Sequence, residues 1–84
     1  MKYCLVTFRT VTPAQQAESL LRRNGYSCSL QRTPRRLEEQ GCGYSLRVNC
    51  DTVYACLDFL ETHGVAYKKA YSVEKNGVIE ELLL

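Results

Sequence analysis

The chain has no CxxC pair, a single histidine and no clustered carboxylates, so neither a tetrahedral zinc site nor a Cys-His catalytic pair can be built from spacing. Neither a metal nor a cofactor is implied. No apolar run approaches membrane-spanning length, and the N-terminus lacks the apolar stretch of a secretory signal, so the expectation is a cytoplasmic protein with no membrane partner. Repeats, linkers and low-complexity segments are also missing. With 84 residues there is room for one modest core and not for two.

What is present is ordinary for a folded domain: 45% hydrophobic and 24% charged residues, which disfavours disorder. The net charge of +2 is too small for a general nucleic-acid binder, and Tyr3 lacks the aromatic and basic surroundings of a base-stacking sheet. The charge is nevertheless uneven. Residues 1–42 carry seven Lys/Arg against three acids, and 43–84 carry four against six, so the first half has a local positive field. Five cysteines, an odd number, disfavour a disulfide framework and read as reduced thiols.

"KYCLVTF" at 2–8 alternates as a strand, with Cys4, Val6 and Phe8 on one face and Tyr3, Leu5 and Thr7 on the other. "TPAQQAESLLRRNG" reads as a helix capped by Thr12, with Pro13 in its first turn, Gln15 completing a capping box, and Gly25 closing it. Its apolar stripe is Ala14, Ala17, Leu20 and Leu21. "YSCSLQ" at 26–31 is a second strand, "RTPRRLEEQG" at 32–41 a polar connection, and "CGYSLRV" at 42–48 a third strand. Asn49 or Asp51 caps a second helix that runs to about His63, with Val53, Cys56, Leu57 and Leu60 inward and Gly64 as its stop. "VAYKKAYSV" is a fourth strand. The tail 75–84 stays open between a hairpin strand turning at Asn76 and Gly77, coil, and a cover for a partner subunit.

The order βαββαβ predicts one α+β domain with its core at about 2–74: a ferredoxin-like sandwich, four antiparallel strands in the order 4-1-3-2 with two helices on one face. That topology puts Cys42, Arg9, Thr12, Arg32, Arg35 and Arg36 at one rim. Gly41 and Gly43 flank Cys42, remove shielding side chains and free amide N–H groups to face an anion. A pKa lowered by about two units would raise the thiolate fraction roughly 25-fold, while reduced basicity would cost roughly 8-fold in nucleophilicity. Activation alone is thus a weak reason for such a site. Stabilising a bound sulfur or selenium anion is a better one. The competing reading is that Cys42 is a small packing residue beneath the first helix, on the face of Tyr44.

The stretch "TPRRLEEQGCGYSLRV" at 33–48 resembles the selenium/sulfur (Se/S) carrier-like family of small bacterial proteins, with Thr33, Pro34, Arg35, Cys42, Gly43 and Arg47 as the matching residues. "TFRTVTPAQQAESLLRRNG" and "LETHGV" fit the same layout, so the likeness covers most of 3–71. It implies a carrier more than a turnover enzyme. Cys42 would hold a persulfide-type adduct, taken from a donor protein such as a cysteine desulfurase and passed to an acceptor. Gly41, Gly43, Arg9, Arg35 and Thr12 would stabilise the anion, and Arg36 and Arg47 would serve docking. Arg47 faces away from Cys42 if the strand is regular, and Glu38 and Glu39 oppose thiolate formation.

Cys50, at the start of the second helix, is the second-choice thiol. It is expected near Cys4 and Cys28 at the far rim, too distant from Cys42 to resolve an adduct, and Cys4 and Cys56 are read as packing. The contrasting class is a binding or adaptor module using an open sheet face and the "VIEELLL" tail for docking or homodimerisation.

Overall fold

Alternation along Tyr3–Thr7 (β1) sends Cys4, Val6 and the following Phe8 to one side of the sheet and Leu5 to the other. In the computed structural model, which describes residues 2–38 and 43–82, both sides of that strand are buried. The remaining elements are α1 (Val11–Arg23), β2 (Cys28–Arg32), α2 (Arg35–Glu38), β3 (Tyr44–Val48), α3 (Val53–Thr62), β4 (Lys69–Val73) and β5 (Ile79–Glu81). The fold is α+β.

Among the described residues the sheet has five strands in the order β2-β3-β1-β4-β5, and every pairing is antiparallel. This corrects the expected four-stranded, two-helix ferredoxin-like sandwich: within the sheet β4, β1, β3 and β2 are successive neighbours, but a fifth strand and a third helix are added. The fifth strand forms because Gly77 adopts φ 89° and its N–H bonds the Glu74 carbonyl at 2.9 Å, turning the tail back onto β4. The tail's strand reading therefore holds for Ile79–Glu81, whose Ile79 pairs with Val73.

Helices α1 and α3 lie on the first face. Ala14, Ala17 and Leu21 from α1 and Val53, Cys56, Leu57 and Leu60 from α3 close over Val6, Phe8, Leu46, Val48 and Ala70. Both helices end as their glycines predict. Gly25 (φ 85°) lets the Tyr26 N–H reach the Leu21 carbonyl at 3.0 Å, and Gly64 (φ 73°) lets Val65 reach Leu60 at 2.9 Å. Their starts differ from expectation. Thr10, not Thr12, is the N-cap of α1, and Thr52, not Asn49 or Asp51, that of α3, neither with a side-chain capping bond. Pro13 is tolerated because first-turn N–H groups lack intrahelical acceptors in any case. Asn49 instead accepts the Asp51 N–H at 2.8 Å and shapes the turn before α3.

The second face is not open. The connection after β2 is more than polar coil: it contains α2, whose Leu37 is buried against Leu5, Tyr71 and Val73, with Tyr3 and Ile79 alongside. One apolar residue among charged neighbours suffices to pull this segment across the sheet. The β2 edge is also covered, since the Glu18 carboxylate accepts the Leu30 N–H at 2.8 Å and the Arg22 Nε–H donates to the Cys28 carbonyl at 3.2 Å.

Candidate functional site

Register fixes which residues share the first rim. Thr7 at the end of β1 pairs with Ser45 and Lys69, and Arg32 at the end of β2 pairs with Tyr44, so β3 and β4 begin where β1 and β2 finish. The Thr33 N–H donates to the Gly43 carbonyl at 2.9 Å and holds the entry to β3. Gly43 is exposed, and a Cβ built on it would meet nothing within 4 Å. Arg9 and Thr12 are exposed just beyond the end of β1, and the Arg32 guanidinium stands 5.8 Å from the Tyr44 ring. Cys42 and Gly41, on which the sequence reading centres, lie outside the described residues, as do Glu39 and Gln40.

The predicted cluster of arginines is only partly assembled. Arg35 is exposed on α2, but Arg36 Nη1 donates to the Gly77 carbonyl at 3.1 Å. Gly77 belongs to the β4–β5 turn, and Val73 at that end of β4 pairs with Tyr3, the first residue of β1. Arg36 therefore points to the opposite rim, carried there by the burial of Leu37. Arg47 lies on the second face with its guanidinium 4.0 Å over the Tyr3 ring. The buried Ser45 Oγ has no hydrogen-bond partner among the described residues.

The far rim holds the sulfur chemistry that sequence reasoning missed. Cys4 and Cys50 are joined in a disulfide, with Cα atoms 5.2 Å apart. This corrects the reading of five reduced thiols and of Cys50 as a free second-choice nucleophile, while Cys4 is buried in the core as expected. A separation of 46 residues leaves no local motif to read. The signal was in the register: Cys4 pairs with Val48, and the Asn49 turn brings Cys50 back over that pair.

Among the described residues the free cysteines are Cys28 and Cys56, both buried. Burial pushes the Cys28 thiol above its ordinary pKa, reinforced by the Glu18 carboxylate and opposed by Arg22. The Cys56 thiol is raised for the same first reason, tempered by its hydrogen bond with Thr52. His63 caps α3 instead of serving chemistry, its Nδ1 2.9 Å from the Phe59 carbonyl.

The same rim carries an open cleft of about 630 Å³, with Cys28 in its lining and neither Cys4 nor Cys50. Lys2 and Tyr3, which precede Cys4, and Asn49 and Asp51, which bracket Cys50, form part of its wall together with Arg22 and Arg47. No group of three or more His, Cys, Asp or Glu among the described residues is arranged to hold a metal. None of their helices is long and apolar enough to cross a membrane.

Compared with known proteins, the chain is matched over residues 3–72 by the model of a family described as "Putative Se/S carrier protein-like". No curated protein and no solved structure matches it.

Proposed function

Because the chain belongs to the Se/S carrier protein-like family over residues 3–72, we propose that it carries sulfur or selenium as a persulfide-type adduct on Cys42 and passes that atom to an acceptor protein. One observation carries the choice of residue. Of the five cysteines, Cys4 and Cys50 are bonded to each other, and Cys28 and Cys56 are buried, with thiol pKa values that burial raises. Cys42 is the one left, and its sequence neighbour Gly43 is exposed at a rim that also presents Arg9 and Thr12.

The transfer conserves electrons. The Cys42 thiolate attacks the terminal sulfur of a donor persulfide, the sulfur–sulfur bond of the donor breaks, and the donor thiolate leaves with the bonding pair. The product is a Cys42 persulfide, whose lower pKa makes it an anion that a guanidinium group would favour. Delivery repeats the same exchange with an acceptor thiolate, so the protein needs no cofactor for either half.

The test is intact-mass analysis of the Cys4–Cys50-bonded protein after incubation with a cysteine desulfurase and cysteine. A single-sulfur increment, removed by a small dithiol, is expected on wild type and on Cys28→Ser, and lost in Cys42→Ser. An increment that survives in Cys42→Ser would overturn the assignment.

A further inference from the structure

The far-rim cleft collects positive charge from three separate segments of the chain. Lys2 precedes β1, Arg22 stands in the last turn of α1, and Arg47 lies near the end of β3, where its register partner on β2 is Ser29. All three cations line the cleft, and Asp51 is the one acid among the lining residues, which leaves a net charge of +2 from three cations and one carboxylate. Both guanidiniums are held in place by contacts that leave their charge unanswered. Arg22 Nε–H donates to the Cys28 carbonyl at 3.2 Å, and the Arg47 guanidinium stands 4.0 Å over the Tyr3 ring. Among the described residues neither has a carboxylate as an ion-pair partner: the ion pairs are Lys2–Glu74 and Lys69–Glu81. Glu18, one helical turn before Arg22, accepts the Leu30 N–H instead. Lys2 is 3.6 Å from Glu74 in an exposed pair of little worth, so the two arginines carry most of the cleft's field. Ser27 and Ser29 add hydroxyl donors to the same wall. A volume of about 630 Å³ falls within the roughly 300–1,000 Å³ of small-molecule sites.

We propose that this cleft binds a phosphoryl dianion, presented by a small phosphate monoester or as inorganic phosphate, between the guanidiniums of Arg22 and Arg47. Guanidinium N–H groups match the spacing of phosphoryl oxygens and stay charged at every physiological pH, so the two arginines supply paired donors with no proton to lose. The hydroxyls of Ser27 and Ser29 donate to the remaining oxygens, and Lys2 adds a mobile charge at the mouth. A dianion answers the net charge of the wall where a monoanion leaves part of it. The cations repel one another in the empty cleft, so binding relieves a repulsion as well as forming contacts. The site lies at the rim opposite Gly43 and stands whether or not Cys42 carries sulfur.

The experiment titrates glucose 6-phosphate, inorganic phosphate, glucose 6-sulfate and glucose into the isotope-labelled, Cys4–Cys50-bonded protein, following backbone amide shifts by NMR at about pH 7.5, where a phosphate ester with a second pKa of about 6 is mostly dianionic. Glucose 6-phosphate should shift the amides of Ser27, Ser29, Arg47 and Asp51 along a saturating curve. Glucose 6-sulfate, the same shape with one charge fewer, should bind at least fivefold more weakly, and glucose should leave these amides unmoved. If inorganic phosphate matches the sugar ester, free phosphate is the source the site accepts; if it binds several-fold more weakly, the source is an ester whose organic part also makes contacts. Arg47→Gln and Arg22→Gln should each weaken the phosphate ester at least fivefold, Lys2→Gln by less, and added salt should weaken it in wild type. Arg9→Gln, at the other rim, should titrate as wild type does. Arg47 and Lys2 are exposed, so their variants decide the matter if Arg22→Gln fails to fold. Linear shifts without saturation, equal affinity for the sulfate and phosphate esters, or an Arg47→Gln variant that binds as wild type does would each overturn the proposal.

Discussion

Reducing the Cys4–Cys50 bond should lower the melting temperature substantially, and the size of the drop follows from the fold. The crosslink joins the first strand to the turn before α3 and closes a loop over a separation of 46 residues. In the chain-entropy account, a loop of that length withholds about 4 kcal/mol of conformational freedom from the unfolded state. An 84-residue domain unfolds with an entropy near 0.18 kcal/mol per kelvin at about 2.1 cal/mol/K per residue, so the midpoint should fall by roughly 20 °C. Calorimetry of wild type with and without a dithiol measures it. Cys50→Ser should melt near reduced wild type and be indifferent to the dithiol, because its Cys4 sulfur still packs beneath the helices. The denaturant slope should also rise on reduction, since an uncrosslinked unfolded chain exposes more surface. Coincident melting of oxidised and reduced wild type, or a Cys50→Ser variant that still responds to reductant, would refute the reasoning.

Leu37→Ala should destabilise by about 2–4 kcal/mol in urea unfolding, because it empties a buried position between α2 and the second face of the sheet. Glu18→Ala should cost about 1–2 kcal/mol and promote association detectable by light scattering, since it strips the acceptor from the Leu30 N–H on the β2 edge, whereas Glu18→Gln keeps an acceptor and should do less. The thiols of Cys28 and Cys56 are raised by burial, so their contribution to stability is complete below the unfolded thiol value of about 8.5 and lost as pH climbs toward their native values. Stability should therefore decline on the alkaline side, and this part of the decline should vanish in Cys28→Ala/Cys56→Ala. Thermal melts of the oxidised protein between neutral and alkaline pH test the sign.

Features encoded locally were legible in the sequence. Gly25 and Gly64 end helices through their own backbone freedom, and the alternation of Cys4, Val6 and Phe8 against Leu5 assigns both faces of β1 from adjacent residues. What escaped depends on contacts between distant segments. Leu37 stands alone among charged residues, without periodicity, and its burial becomes visible only once Leu5, Tyr71 and Val73 are seen on the same face. That single contact carries Arg36 to Gly77 and covers Leu5, Tyr71 and Val73 on the second face. The disulfide likewise needs the register of β1 with β3. Conversely, of the motif residues Thr33, Pro34, Arg35, Cys42, Gly43 and Arg47, Cys42 lies outside the described residues, so the proposed carrier role draws on the family match and on the fates of the other cysteines.

Loading of the proposed carrier cysteine should not depend on the state of the Cys4–Cys50 bond. From Gly43 to Val48 is five steps of extended chain, roughly 16 Å at the rise of a strand, and Cys50 lies beyond the further turn. β3 lies between β1 and β2 in the hydrogen-bonded sheet, and its length separates the two ends. Below the melting point of the reduced form, the yield of single-sulfur adduct on Cys42 should therefore be the same whether Cys4 and Cys50 start bonded or separately alkylated. Intact-mass analysis of both preparations, followed by peptide mapping, gives the comparison. A several-fold change in Cys42 loading with the state of the far disulfide would mean that the strand between them is not a passive spacer.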